Sequence, residues 1–85
     1  MFRLFISTRA KKRLKLLKLT HQEAILAALE EIKEDPFIGK PLTRELTGRF
    51  SFRVGVHRII YKVSLSDKTI RVLNAGHRSD VYVSK

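Results

Sequence analysis

The chain contains no cysteine, which excludes a disulfide framework, a thiolate metal site and a cysteine nucleophile. It also lacks a long apolar run. The first one, residues 2–6, is interrupted by Arg3 and is too short for a signal peptide or a membrane span. With 85 residues, the chain has room for one modest core. We therefore expect a single domain over residues 1–85, located in the cytoplasm.

Acidic residues are scarce as well. The chain has 8 Asp and Glu against 18 Lys and Arg, which gives a formal charge of +10 and an isoelectric point near 10.6. A field of this size attracts polyanions, meaning nucleic acid, an acidic protein or an anionic membrane. Solubility alone is the competing explanation for such a charge. Apolar residues still make up 44% of the chain, so we expect a folded domain.

The first part of the chain predicts a strand followed by a basic helix. Residues 2–6 alternate as in a strand, and Ser7 or Thr8 can cap the helix that follows. From Arg9 to Leu19, apolar residues recur at helical spacing and the remaining surface is basic. The candidate RNA contacts on this surface are Lys11, Lys12 and Lys15. The narrow apolar stripe is needed for the core, so we expect no membrane binding.

A second helix is predicted to begin near Thr20, because Thr20 and Glu23 have the spacing of a capping box. Its core stripe is expected to consist of Ala24, Ile25, Ala28, Leu29 and Ile32. Pro36 ends the helix. The two helices should form an antiparallel hairpin, and residues 37–47, with Gly39 and Pro41, should form a surface connection.

Three strand patterns follow, at residues 50–54, 58–64 and 69–75. Gly55-Val56 fits a two-residue type II′ turn, which places Val54 opposite His57 and Arg53 opposite Arg58. In this register one face is apolar, with Phe50, Phe52, Val54, Ile59, Tyr61 and Val63. If the apolar face packs on the helices, the chain is an α+β two-layer sandwich. It combines an N-terminal strand, a helical hairpin and an antiparallel β-meander, in the order β-α-α-β-β-β.

The other face of the meander carries Ser51, Arg53, Arg58 and Lys62. Like charges directly across a strand pair destabilise a sheet, yet the register opposes Arg53 to Arg58. One interpretation is a phosphate-binding surface, extended by Arg49, Lys62 and Arg71. The alternative is a solvated face whose long side chains cover Ile60 with their methylene groups.

The segment after the last strand supplies His77, Arg78 and Tyr82 within a few residues. RNA cleavage by the neighbouring 2′-hydroxyl needs a proton acceptor, cations for the phosphate and a proton donor for the leaving oxygen. His77 is the candidate proton carrier, the arginines are suited to charge stabilisation, and Tyr82 could stack on a base or donate a hydrogen bond. His57 and Tyr61 fall on the apolar face, so we interpret both as structural.

Two segments carry a resemblance to a known family. Residues 46–61 (LTGRFSFRVGVHRIIY) and 76–82 (GHRSDVY) together resemble the RelE/ParE toxin superfamily. The resemblance implies the toxin of a type II toxin–antitoxin pair that cleaves mRNA in the ribosomal A site and inhibits translation. It implies an acidic RelB-like antitoxin that holds the toxin inactive in a hetero-oligomer. No metal or other cofactor is implied.

By the resemblance, the catalytic candidates are Arg53, Arg58, His77, Arg78 and Tyr82. Several RelE-like enzymes carry a lysine at the position of Ser51, where it is thought to help deprotonate the 2′-hydroxyl. A serine hydroxyl cannot act as that base. We therefore keep two alternatives to an endoribonuclease: a ParE-like toxin that inhibits DNA gyrase, and an inactive relative that only binds nucleic acid or an antitoxin.

Overall fold

The computed structural model describes residues 2–77, which form two helices and five strands. The strands and helices follow one another as β1 (Arg3–Ile6), α1 (Thr8–Lys15), α2 (Leu19–Glu34), β2 (Lys40–Pro41), β3 (Arg49–Val54), β4 (His57–Ser64) and β5 (Thr69–His77). A short 3-10 turn, Arg44–Leu46, lies between β2 and β3. None of the helices within residues 2–77 has the length and apolar character that a bilayer span requires.

The five strands form one mixed sheet in the order β1-β5-β4-β3-β2. β1 pairs with β5 in parallel, and the other three pairings are antiparallel. The predicted α+β architecture is confirmed, with one addition, because β2 lies inside the connection predicted to be irregular. A strand of two residues is too short to leave a periodic pattern in the sequence.

The hairpin between β3 and β4 has the predicted register, with Val54 opposite His57 and Arg53 opposite Arg58. Gly55 has φ +61, the positive value that the first central position of a type II′ turn needs. Successive side chains of β3 and β4 therefore lie on opposite faces of the sheet. The predicted apolar set lies in or against the core, with Ile59 and Tyr61 fully buried.

The core forms between one face of the sheet and the two helices. Ile25, Leu29 and Ile32 of α2 cluster with Ile59 and Tyr61 of β4. Other members of the cluster are Ala10, Leu14, Ala28, Ile70, Val72 and Ala75. Ala24, predicted to belong to the stripe, is exposed. The buried positions of α2 recur every three or four residues from Ile25, which turns the preceding alanine outward.

The first helix is capped as predicted, since Ser7 Oγ accepts a hydrogen bond from the Ala10 N–H at 3.1 Å. The predicted capping box of the second helix is wrong. α2 begins at Leu19 with Lys18 as its N-cap, and no side chain caps it. Instead, Gln22 Nε2 donates to the Leu17 carbonyl at 2.8 Å and ties α2 back to the turn. α1 correspondingly ends at Lys15 rather than Leu19.

Tyr61 fastens the segment after α2 to the sheet. Its hydroxyl donates to the Pro36 carbonyl at 2.7 Å and accepts from the Gly39 N–H at 3.0 Å. Burial raises the pKa of Tyr61, so the phenol stays protonated and can keep donating. A Cβ at Gly39 would lie 2.5 Å from this hydroxyl, so glycine is required for the close approach.

Replacing Tyr61 by Phe should lower the free energy of unfolding by about 1–3 kcal/mol, because a buried N–H and a buried carbonyl lose their partner. Urea denaturation of the two chains would measure the difference. Ser64→Ala is the matched control, since it removes an exposed hydroxyl and should change stability by less than about 0.5 kcal/mol. A Tyr61→Phe chain as stable as the parent would contradict the assignment.

Candidate functional site

Arg53 and Arg58 stand opposite each other on β3 and β4, next to the Gly55-Val56 turn. Arg53 is exposed, and its Nε donates to the Gly55 carbonyl at 3.2 Å. Arg58 is half-buried and its Nε is buried. Both side chains line a concavity of about 200 Å³ together with His77, Gly55 and Val56. Three of the five predicted catalytic residues therefore meet at one end of the sheet.

The position of His77 differs from the prediction. We expected it in a tail after the last strand, but β5 continues through His77, which pairs with His57 while Gly76 pairs with Arg58. The apolar pattern ends at Ala75, so it could not predict that β5 continues through Gly76 and His77. Arg78 and Tyr82, the two other catalytic candidates, lie outside the described residues.

His57 lies at the centre of a histidine cluster that the sequence did not reveal. Its ring centroid is 4.6 Å from that of His21 on α2 and 6.2 Å from that of His77. Burial lowers the pKa of His57, and the charges of His21 and His77 lower it further. The predicted structural position of His57 is confirmed, because the residue is 6% exposed.

The histidine cluster does not form a metal centre. Within residues 2–77, no group of three or more potential metal-ligating side chains is arranged to hold an ion. His57 instead packs between His21 on α2 and His77 at the end of β5. His21 could not be found from the sequence because its contact joins two elements far apart along the chain.

A second cationic row crosses the sheet at the other end of the same face. Arg49, Lys62 and Arg71 are direct neighbours on β3, β4 and β5. Arg49 and Lys62 are each four residues from Arg53 and Arg58, an even number, so they project from the same face. Phe5 of β1 pairs with Arg71 and completes the row.

Between the two cationic rows lies a buried, uncharged row. Ser51, Ile60 and Asn74 are neighbours across the sheet and are 3%, 5% and 5% exposed. The burial of Ile60 agrees with the alternative interpretation, in which the neighbouring long side chains cover it. Alternation assigned Ser51 to this face but did not predict that Ser51 and Asn74 are buried beside Ile60.

The predicted RNA contacts Lys11, Lys12 and Lys15 are not part of either row. They are exposed on α1, whose buried residues Ala10 and Leu14 pack in the core. The helices lie on the face of the sheet opposite the arginines, so the structure does not unite the lysines with Arg53 and Arg58. Arg13 does reach the end of β5, since a Cβ at Gly76 would lie 3.8 Å from its side chain.

The charges of the chain are segregated. None of the five strands contains an acidic residue. Among the described residues, acidic side chains concentrate on α2 and its C-cap as Glu23, Glu30, Glu31, Glu34 and Asp35. The sheet and α1 are therefore both basic without acidic residues, and the sheet face suits a polyanion such as nucleic acid.

Comparison with known proteins gives consistent results. Residues 4–82 match the family model described as the ParE toxin of the type II toxin–antitoxin system parDE. The chain is 41% identical over 64 residues to Toxin RelG of Mycobacterium tuberculosis H37Rv, covering 68% of this chain and 74% of that protein.

Solved structures agree with the sequence matches. The crystal structure of the toxin–antitoxin complex RelBE2 from Mycobacterium tuberculosis contains a chain that superposes with a TM-score of 0.84. That chain is 32% identical, and the alignment covers 91% of this chain and 98% of that one. An archaeal RelE–RelB complex from Pyrococcus horikoshii contains a match with a TM-score of 0.74 and 26% identity, over 91% of this chain and 94% of that one.

The lowered pKa of His57 makes stability depend on pH. The folded chain binds a proton on His57 less readily than the unfolded chain does. His57 therefore lowers the free energy of unfolding as the pH falls below 6.5, its ordinary pKa, and has no such effect well above that pH. Urea denaturation between about pH 5 and pH 8 should show this decrease. His57→Gln should abolish it, whereas His21→Gln should keep most of it, because burial is the larger cause. Equal pH dependence in His57→Gln and the parent would contradict the assignment.

Proposed function

Since this chain belongs to the RelE/ParE superfamily of toxins from type II toxin–antitoxin systems, we propose that it is a ribosome-dependent endoribonuclease that cleaves mRNA in the A site and inhibits translation. The observation that carries the proposal is the concavity shared by Arg53, Arg58 and His77. It combines two permanent cations with a proton carrier at the end of a sheet that has no acidic residue to repel a phosphate.

The reaction that fits these side chains is transesterification within the RNA. The 2′-oxygen attacks the adjacent phosphorus while the bond from phosphorus to the 5′-oxygen breaks, so the products are a 2′,3′-cyclic phosphate and a 5′-hydroxyl. One proton leaves the 2′-hydroxyl and another must reach the departing 5′-oxygen. Negative charge builds on the phosphate in between, and a guanidinium stays positive throughout to stabilise it.

The proposal assigns a role to each candidate residue. His77 accepts the 2′-hydroxyl proton, because Ser51 is buried and its hydroxyl is not a base. Arg58 and Arg53 hold the phosphate. Arg78 adds a further cation, and Tyr82 stacks on a base or hydrogen-bonds the leaving group. The reaction uses no metal or other cofactor.

An acidic RelB-like antitoxin is the proposed partner. Both solved structures described above are toxin–antitoxin complexes, named RelBE2 and RelE–RelB. An acidic chain on the cationic sheet face would offset the formal charge of +10 and cover the concavity. We propose that residues 1–85 act as one toxin domain in the cytoplasm, stored as a hetero-oligomer with the antitoxin and acting on the ribosome and mRNA when released.

Inhibition of DNA gyrase is the second candidate function, because the matching family model describes a ParE toxin. Such a toxin would act by binding and would not need the Arg53–Arg58–His77 arrangement. The third candidate is a relative without toxicity that binds only nucleic acid or an antitoxin. Ser51 cannot supply a base, so this candidate applies if His77 does not accept the proton.

Expression of the chain without a partner should arrest growth and produce new 5′ ends within translated codons, detected by primer extension. Arg58→Gln should reduce cleavage about 10²–10³-fold, because it removes charge stabilisation of the transition state. His77→Gln should reduce it about 10²–10⁴-fold, because it removes the proton acceptor. Arg9→Gln is the control with the same charge change as Arg58→Gln, because Arg9 is exposed on α1, and it should cleave like the parent.

The alternatives give different results in the same cells. Growth arrest with unchanged transcripts, together with loss of supercoiling by purified gyrase, would replace the endoribonuclease by the ParE-like function. Normal growth would favour the inactive relative. Cleavage that survives both the Arg58 and the His77 substitutions would show that the proposed site is wrong even if the activity is correct.

A further inference from the structure

Phe5 is an exposed aromatic residue in an unusual place for one. It lies on β1, the edge strand of the sheet, and 43% of its surface is accessible. It pairs with Arg71, so it projects from the same face as Arg71 and Lys62, at the end of the second cationic row. The ring is therefore displayed on the cationic face and contributes nothing to the core on the helix side.

Two arginines surround this ring without covering it. The Cζ atoms of Arg3 and Arg71 each lie 5.8 Å from the Phe5 ring centroid, near the outer limit of about 6 Å for a cation–π contact. The aromatic surface is thus oriented by neighbouring charge and is still available to a ligand. Phe5 also lines a concavity of about 470 Å³ along the edge of β1 with Phe2, Arg3, Leu4 and Lys33. This concavity lies at the sheet edge, beside Phe5 and apart from Arg71 and Lys62.

An aromatic ring among cations is the combination that binds unpaired nucleic acid, because the ring stacks on a base while the cations hold the phosphates. Protection of the edge strand against pairing with other chains is the competing explanation. Charged residues such as Arg3 are sufficient for that protection, whereas an exposed phenyl ring on the same edge works against it. Stacking on a nucleotide accounts for the ring and its flanking cations together.

We infer that Phe5, Arg71 and Lys62 form a second contact site for single-stranded RNA, in which a base stacks on Phe5 and a phosphate binds Arg71 and Lys62. The inference rests on the proposed function, since it places a second part of the same RNA on the same sheet face. Lys62 is four residues from Arg58, about 13 Å along the strand, and Phe5 lies two strands from β4, about 10 Å across the sheet. The second site therefore holds nucleotides beside the cleaved one.

Tryptophan fluorescence can test this site directly, because the chain contains no tryptophan. In a Phe5→Trp variant, the only indole sits at the proposed stacking position, and a stacked base should quench its fluorescence. The probes are single-stranded oligoribonucleotides of increasing length with 2′-O-methyl groups, which block cleavage. Quenching should appear once the oligonucleotide is long enough to reach from Arg58 to the indole. Phe37→Trp is the matched control and should not be quenched, because Phe37 is also exposed (52%) but contacts Phe50 on the other side of the sheet.

Affinity measurements separate stacking from charge. Phe5→Leu keeps an apolar residue on β1 and should weaken binding of the longer oligonucleotides roughly ten-fold, the effect of losing one stacked base. Phe37→Leu should bind like the parent. The double variant Lys62→Gln, Arg71→Gln should reduce the slope of log affinity against log salt by about 1–2, as expected for lost phosphate contacts. Arg9→Gln with Lys18→Gln makes the same charge change in the helical layer, where both residues are exposed, and should leave the slope unchanged.

The results distinguish failure of this site from failure of the proposed function. If the parent cleaves mRNA on ribosomes but Phe5→Trp is not quenched and Phe5→Leu binds normally, the second site is wrong and the enzyme stands. If the parent neither binds the oligonucleotides nor cleaves mRNA, both proposals fall. Quenching by poly-glutamate but not by RNA would overturn the inference and assign Phe5 to an acidic protein. Thermal unfolding of Phe5→Leu and Phe37→Leu, expected to be alike, excludes misfolding as the cause of weaker binding.

Discussion

Gly55 turns β3 into β4 within two residues by adopting a positive φ of +61, and this turn determines which side chains can form a site. Because side chains alternate along a strand, a shift of one residue in the pairing would move Arg53 and Arg58 to the helix side and Ile59 and Phe52 to the outside. The core and the cationic face are thus two consequences of one register. Burial of Ile59 and Tyr61 stabilises that register, and the arginines take their positions from it.

Like-charged residues lie opposite each other on neighbouring strands, and packing of the core must offset their repulsion. Arg53 opposes Arg58, and Lys62 stands between Arg49 and Arg71. Each directly opposed like-charged pair costs about 0.2–1 kcal/mol. Acidic side chains that could neutralise these rows are on α2, in the other layer. A sheet selected for stability alone would mix the two signs, so the separation of charge is consistent with the proposed polyanionic ligand on the sheet face.

Local patterns in the sequence predicted the parts of the structure that depend on neighbouring residues. Alternation and the glycine turn were sufficient to predict the β3–β4 register and the structural position of His57. They could not show that β1 lies beside β5, that His21 meets His57, or that Ser51 is buried, because each of these depends on residues far apart in the chain. The capping box at Thr20 failed for a related reason. The hydrogen bond from Gln22 to the Leu17 carbonyl favours a helix that begins at Leu19, before Thr20. It therefore competes with the capping-box spacing of Thr20 and Glu23.

The position of His77 depends on an irregularity in the sheet. Tyr61 pairs with Val72 and Ile60 with Asn74, so Leu73 is an extra residue in β5. Without this bulge, each later residue of β5 would face the next position on β4, and His77 would no longer stand opposite His57. Ser7 holds the bulge from the other side of the chain, because its Oγ donates to the Leu73 carbonyl at 3.0 Å while accepting the Ala10 N–H at the start of α1. A single hydroxyl thus joins the first strand, the first helix and the bulge that places His77 opposite His57 and Gly76 opposite Arg58. The N-terminal half of the chain contributes no residue to the concavity lined by Arg53, Arg58 and His77, but it contacts the strand that carries His77 through this hydroxyl.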